Sequence, residues 1–141
     1  MGSVVAIDLG TKKTGFASTD ALRLSQQALP PVRLDWDGDG LLTHLAELID
    51  ERSADTLLLG HPLNADGSAG PQAELCQRFA ERLGERFPGV RVLLYDEHLT
   101  TKAAEALLRE EGWSRAKQRE LRDSYSALVL LRDWLESGEP G

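Results

Sequence analysis

The chain has 141 residues, 41% hydrophobic and 28% charged, and a net charge of -7 at neutral pH. That length suits one domain with a real core, and no apolar run approaches the ~20 residues of a membrane-spanning helix. The lone Cys76 excludes an internal disulfide and a cysteine-rich zinc site. Residues 1–3 carry no secretory signal pattern, so a cytoplasmic setting is expected.

Residues 4–9 (Val-Val-Ala-Ile-Asp-Leu) read as a buried strand with one carboxylate set into it. Desolvating an aspartate there is expensive unless something needs its negative charge. Residues 10–15 make a tight turn, and 15–19 alternate as a second strand. Residues 22–29 are predicted as a third strand, because Pro30-Pro31 cannot continue a helix. Leucines and isoleucine at 41, 42, 45, 48 and 49 predict an amphipathic helix over about 39–52. Residues 56–60 form a short apolar strand of the buried parallel kind. The loop 61–68 is rich in turn formers, and Ser68 or a near neighbour is expected to cap a helix running to Phe87. A fifth strand covers 90–95, Thr100 or Thr101 starts a helix to about Glu111, and a last helix carries a Leu/Tyr stripe from Leu121 to Leu135. A single domain over 1–137 with a frayed tail, 138–141, is expected.

Strands alternating with helices predict an α/β sheet whose ligands gather at the carboxyl ends of its strands. Asp8 lies within or at the end of strand one, Glu97 just past strand five, and Asp123 opens the apolar stretch of the last helix. Together they would offer hard oxygen ligands to Mg2+ or Mn2+. Such ions can activate water and stabilise a leaving alkoxide in phosphodiester hydrolysis. Asp96 is a candidate supporting residue.

Charge is spread unevenly. Residues 1–70 hold five Lys/Arg against ten acids, whereas residues 71–141 hold eleven against thirteen. Arg115, Lys117, Arg119 and Arg122 crowd into eight positions beside Asp123. They read either as a solvated helix face or as a grip on a nucleic-acid backbone. Thr11, Lys12 and Lys13, in the first turn, and Asn64, in the 61–68 loop, are further candidates for substrate phosphates; an ordinary hairpin and a plain capped loop are the alternatives.

Other signals carry less. Residues 35–40 imitate an EF-hand loop, but Ala46 stands where its glutamate is required. His44, His61 and His98 lack zinc spacing, and His44 reads as a helix-surface residue. Cys76 reads as packed, and Trp113 and Trp134 as anchors, with Trp113 the better base-stacking candidate.

Four segments, 6–15 (AIDLGTKKTG), 59–68 (LGHPLNADGS), 96–101 (DEHLTT) and 123–127 (DSYSA), occur in this order. Together they resemble the bacterial YqgF (RuvX-type) family over nearly the whole chain. The resemblance implies an RNase H-like fold: a mixed five-stranded sheet, three antiparallel strands then two parallel ones, flanked by helices. It also implies a metal-dependent nuclease associated with pre-16S rRNA processing and, historically, with Holliday junction resolution. Asp8, Glu97 and Asp123 take the positions of the family's acids. Lys13 and His98 stand where the family commonly has arginine, which loses bidentate phosphate geometry and exchanges a fixed charge for a titrating one.

The expected function is metal-dependent cleavage of nucleic acid, RNA by preference and branched DNA as the alternative, by a monomer or homodimer without membrane association. An actin-like ATPase lobe would need a second lobe, and a non-catalytic nucleic-acid-binding module would bind without cleaving.

Overall fold

The computed structural model describes residues 2–97 and 100–141. Its elements follow in the order β1 (Ser3–Asp8), β2 (Thr14–Thr19), β3 (Gln26–Val32), α1 (Asp39–Arg52), β4 (Ala54–His61), α2 (Pro71–Arg86), β5 (Arg91–Asp96), α3 (Thr100–Glu110) and α4 (Arg115–Glu136). The strands form one sheet in the order β3-β2-β1-β4-β5. β1, β2 and β3 pair antiparallel, whereas β4 runs parallel to β1 and β5 parallel to β4. This is the RNase H-like arrangement that the resemblance implies.

Alternation along the strands sorts the core into two layers. Val5, Ile7, Phe16, Leu57 and Leu59 pack under α1 and α2 with Leu41, Leu45, Phe79 and Leu83. Val4, Ala6, Ala17 and Leu58 pack under α3 and α4 with Leu108, Leu130, Leu131 and Trp134. The second layer is built on small residues. A Cβ at Gly15 would fall inside the backbone of Asp123 and Ser124, so glycine alone lets α4 press onto β2 there. Ser124 Oγ then accepts a bond from the Phe16 amide at 3.0 Å.

Several elements depart from the expectations. The third strand includes Pro30 and Pro31 instead of ending before them, because β3 is an edge strand and can forgo a donor. Its register shifts opposite Thr14 and Phe16, the local irregularity prolines favour. Leu22 and Leu24, expected in that strand, lie in the preceding turn, 67% and 76% exposed. Helix α2 is capped by a near neighbour of Ser68, one of the two expected alternatives. Its N-cap is Gly70 with Pro71 following, while Ser68 bonds Asp66 and Asn64 inside the loop. His44 is half-buried and packs at a tilt against Phe16, ring centroids 5.1 Å apart, with Nε2 enclosed and without a partner among the described residues.

The last residues do not trail away as expected. Trp134 Nε1 donates to the Pro140 carbonyl at 2.8 Å, Arg91 bonds the Gly141 carbonyl, and Arg23 pairs with both Glu139 and Asp55. The buried indole and the guanidinium supply partners that sequence proximity could not reveal. Among the described residues no helix is long and apolar enough to cross a membrane.

Candidate active site

Parallel pairing brings the carboxyl ends of β1, β4 and β5 to one edge of the sheet, with His61 opposite Asp96 and Asp8 opposite Gly15. Asp8 shares a face with Val4 and Ala6, towards α4. Glu97 follows β5, its amide bonded to the His61 carbonyl at 3.1 Å. The two carboxyl side chains meet in a recess of about 320 Å³ lined by Asp8, Leu9, Pro62, Gln72, Glu97 and Thr100. Burial pushes the Asp8 carboxyl well above its usual range, and the adjoining Glu97 adds to the rise. The charge of Asp123 acts in the same direction, and Arg122 partly opposes it.

Neighbours fix this pair. Gly60 leaves room for Glu97: a Cβ there would stand 2.8 Å from Oε2. Thr100 Oγ1 donates to Glu97 Oε1 at 3.2 Å. Gln72 Nε2 donates to the Leu9 carbonyl at 2.9 Å, tying the first turn of α2 to the end of β1. Thr100 was expected only to start its helix. Gln72 and Gly60 went unread, although a glycine closing the apolar run of β4 is the kind of signal that marks a close approach.

The third acid is held differently. Lys13 Nζ lies 3.8 Å from Asp123 Oδ2 and donates to the Arg119 carbonyl at 3.0 Å. Asp123 therefore stands near the pair but has a cation of its own. Among the described residues no set of three His, Cys, Asp or Glu side chains is close enough to hold a metal ion. The structure brings Asp8 and Glu97 together and leaves Asp123 beside them.

The remaining candidates divide. Thr11 and Lys12 are exposed in the turn next to Asp8, while Lys13 faces α4. Asn64 spends its amide on Ser68 within its own loop. Asp96 is exposed at the end of β5. Arg115, Arg119 and Arg122 line a second hollow between α3 and α4, joined by Arg109, Glu105 and Gln118. Lys117 instead pairs with Glu120 at 3.3 Å. Arg109 lay outside the basic run; only its place on the α3 face could have found it. Cys76 is buried in the layer under α1 and α2, and desolvation with the charges of Glu97 and Asp8 pushes its thiol up to about 12, which suits a packed residue rather than a nucleophile. His98 lies outside the described residues.

The family model described as "RuvX: Holliday junction resolvase" matches residues 2–137. The chain belongs to this family. It is 42% identical over 134 residues to a protein of Geobacillus kaustophilus named "Putative pre-16S rRNA nuclease", covering 94% of this chain and 96% of that one. Two solved structures share the fold at low identity. The Fowlpox virus resolvase in complex with Holliday junction DNA aligns with a TM-score of 0.59 at 13% identity, over 96% of this chain and 97% of that one. RuvC of T. thermophilus in complex with a Holliday junction substrate aligns at 0.57 and 16% identity, over 99% and 98%. The RuvX chain thus has the RNase H-like fold, and its acid recess lies at the carboxyl edge of the sheet.

Proposed function

We propose that this RuvX-family protein is a metal-dependent nuclease that hydrolyses nucleic-acid phosphodiester bonds, its substrate being the 5′ region of precursor 16S rRNA. The observation that carries the reading is the meeting of the Asp8 and Glu97 carboxyls in a recess at the sheet's carboxyl edge. Two like charges brought together out of water raise each other's free energy, and a divalent cation between hard oxygens relieves that cost. The pair therefore fits Mg2+ or Mn2+, and Asp123, now beside Lys13, would have to turn in from the rim to serve as the third ligand. A bound ion would polarise the scissile phosphate and lower the pKa of a water.

The chain's own residues do the rest. Thr100 and Gly60 fix where Glu97 points. Lys13 holds Asp123 at the rim, and Arg122 brings positive charge towards Asp8. Thr11 and Lys12 in the first turn, and Arg115, Arg119 and Arg122 along α4, would hold the nucleic-acid backbone across the recess. The name of the Geobacillus relative supports precursor 16S rRNA as the substrate, the choice of its 5′ region rests on the family resemblance, and a cytoplasmic setting suits it. The family description favours a second reading, cleavage of four-way DNA junctions. A two-fold junction calls for two copies of the chain.

The test is a side-by-side cleavage assay on single-stranded RNA, structured rRNA precursor and four-way DNA, in Mg2+, Mn2+ or EDTA, with solution mass measured in parallel. Cutting of the precursor that stops in EDTA is the expected result. Preferential cutting of the junction by a dimer would favour the second reading, and retained cutting in EDTA would remove the metal from the mechanism.

A further inference from the structure

The hollow between α3 and α4 is distinct from the acid recess in both residues and chemistry. Arg115, Gln118, Arg119 and Arg122 recur at three- and four-residue spacing on one face of α4, and Glu105 and Arg109 stand one turn apart on α3. They enclose about 310 Å³. Among the described residues, none of the four guanidiniums forms a salt bridge or a side-chain hydrogen bond. Lys117 of the same run has its own carboxylate and lines a different hollow.

A second observation points to an anion. Arg115 opens α4, whose first turn contains no acid, and Arg119 and Arg122 follow on the same face of its next turns. Positive side chains at a helix N-terminus oppose the macrodipole and cost stability. Crowding four guanidiniums around one carboxylate, Glu105, adds to that cost. A bound anion offsets both. An internal phosphodiester carries one negative charge, whereas a phosphate monoester carries about 1.5 to 2. The surplus of positive charge matches the monoester, and guanidinium forks suit its three free oxygens.

We infer that the arginine hollow between α3 and α4 is a site for a terminal phosphate monoester of the nucleic-acid substrate, so that cleavage is directed from a strand end. The inference rests on the nuclease reading only in supplying the strand. Arg122 joins the two sites, since it lines the hollow and its charge is felt at Asp8. A strand end seated here would lay its neighbouring nucleotides across the acid pair.

The test uses the full chain in EDTA and a short labelled RNA of one sequence, bearing a 5′-phosphate, a 3′-phosphate or hydroxyls at both ends. Anisotropy is expected to give about tenfold tighter binding for one phosphorylated end over hydroxyl ends. Which end is preferred fixes the polarity. The double substitution R109Q/R119Q, checked for folding by circular dichroism, should erase that preference by weakening binding of the phosphorylated RNA about tenfold more than that of the hydroxyl-ended RNA. Equal binding of all three RNAs, or a preference that survives the double substitution, would overturn the inference. Adding Mg2+ to the same RNAs separates the two readings. End preference without cleavage supports the hollow and sinks the nuclease, whereas cleavage without end preference does the reverse.

Discussion

The acid recess and the arginine hollow share helix α3, with Thr100 lining the one and Glu105 and Arg109 the other, yet they handle charge in opposite ways. Asp8 and Glu97 sit half-buried on strand ends, hemmed in by Gly60, Thr100 and backbone. The arginines lie exposed on helix faces, in water. Like charges forced together in a recess interact strongly, because little solvent screens them. The same crowding on an exposed face is softened by solvent and salt. Single atoms therefore decide the behaviour of the recess, whereas the hollow works through summed charge.

Substitutions test that contrast, beginning with the largest effect. Asp8→Asn should lower cleavage about a thousandfold or more, several kcal/mol of lost charge stabilisation, while raising the melting temperature by removing one of two mutually repelling like charges. Loss of activity together with loss of fold would break the contrast. Gly15→Ala should cost about 1–3 kcal/mol in urea unfolding, since α4 must lift from β2. Gly60→Ala pushes a side chain instead of a helix, so cleavage should fall about tenfold or more with a smaller change in stability.

A pH series sharpens the comparison further. The Asp8 carboxyl is raised in the folded state, so its contribution favours folding below its ordinary pKa and is lost as pH rises through the folded value. In EDTA, wild-type melting temperature should therefore fall relative to Asp8→Asn as pH rises from acid towards neutral. Parallel curves would remove the like-charge strain from the account. The smallest effect belongs to the hollow. Arg119→Gln should change stability by about 0.5 kcal/mol or less, yet reduce the slope of log affinity against log salt by about one.

The sequence made part of this legible for physical reasons. Strand β1, helix α1 and the parallel β4 carry strong periodic or apolar signals and lie where expected, α1 with both ends matched, β1 one residue earlier and β4 longer by two residues before and one after. Asp8 and Glu97 stood out as carboxylates at strand ends, the positions a parallel sheet converts into neighbours. What escaped depended on tertiary partners. Between Ser68 and its neighbours as the cap of α2, the place falls to Gly70, because Ser68 bonds within its own loop. Lys13 looked like a phosphate ligand but lies against Asp123 and the α4 backbone. Arg109 belongs with arginines from another helix, a grouping that only the packing of α3 on α4 creates. Residues 139–141 looked free because Arg23, Arg91 and Trp134, which hold them, are remote or buried.

The two prolines of β3 have a consequence for how copies of this chain can meet. Lacking amide hydrogens, Pro30 and Pro31 spoil that rim of the sheet as a template for an added strand. Any association through backbone ladders is thereby steered to the opposite rim, β5, away from the first hairpin. Stray chains exposed during synthesis would meet the same barrier, so the pair also acts as a guard against fibrous self-association.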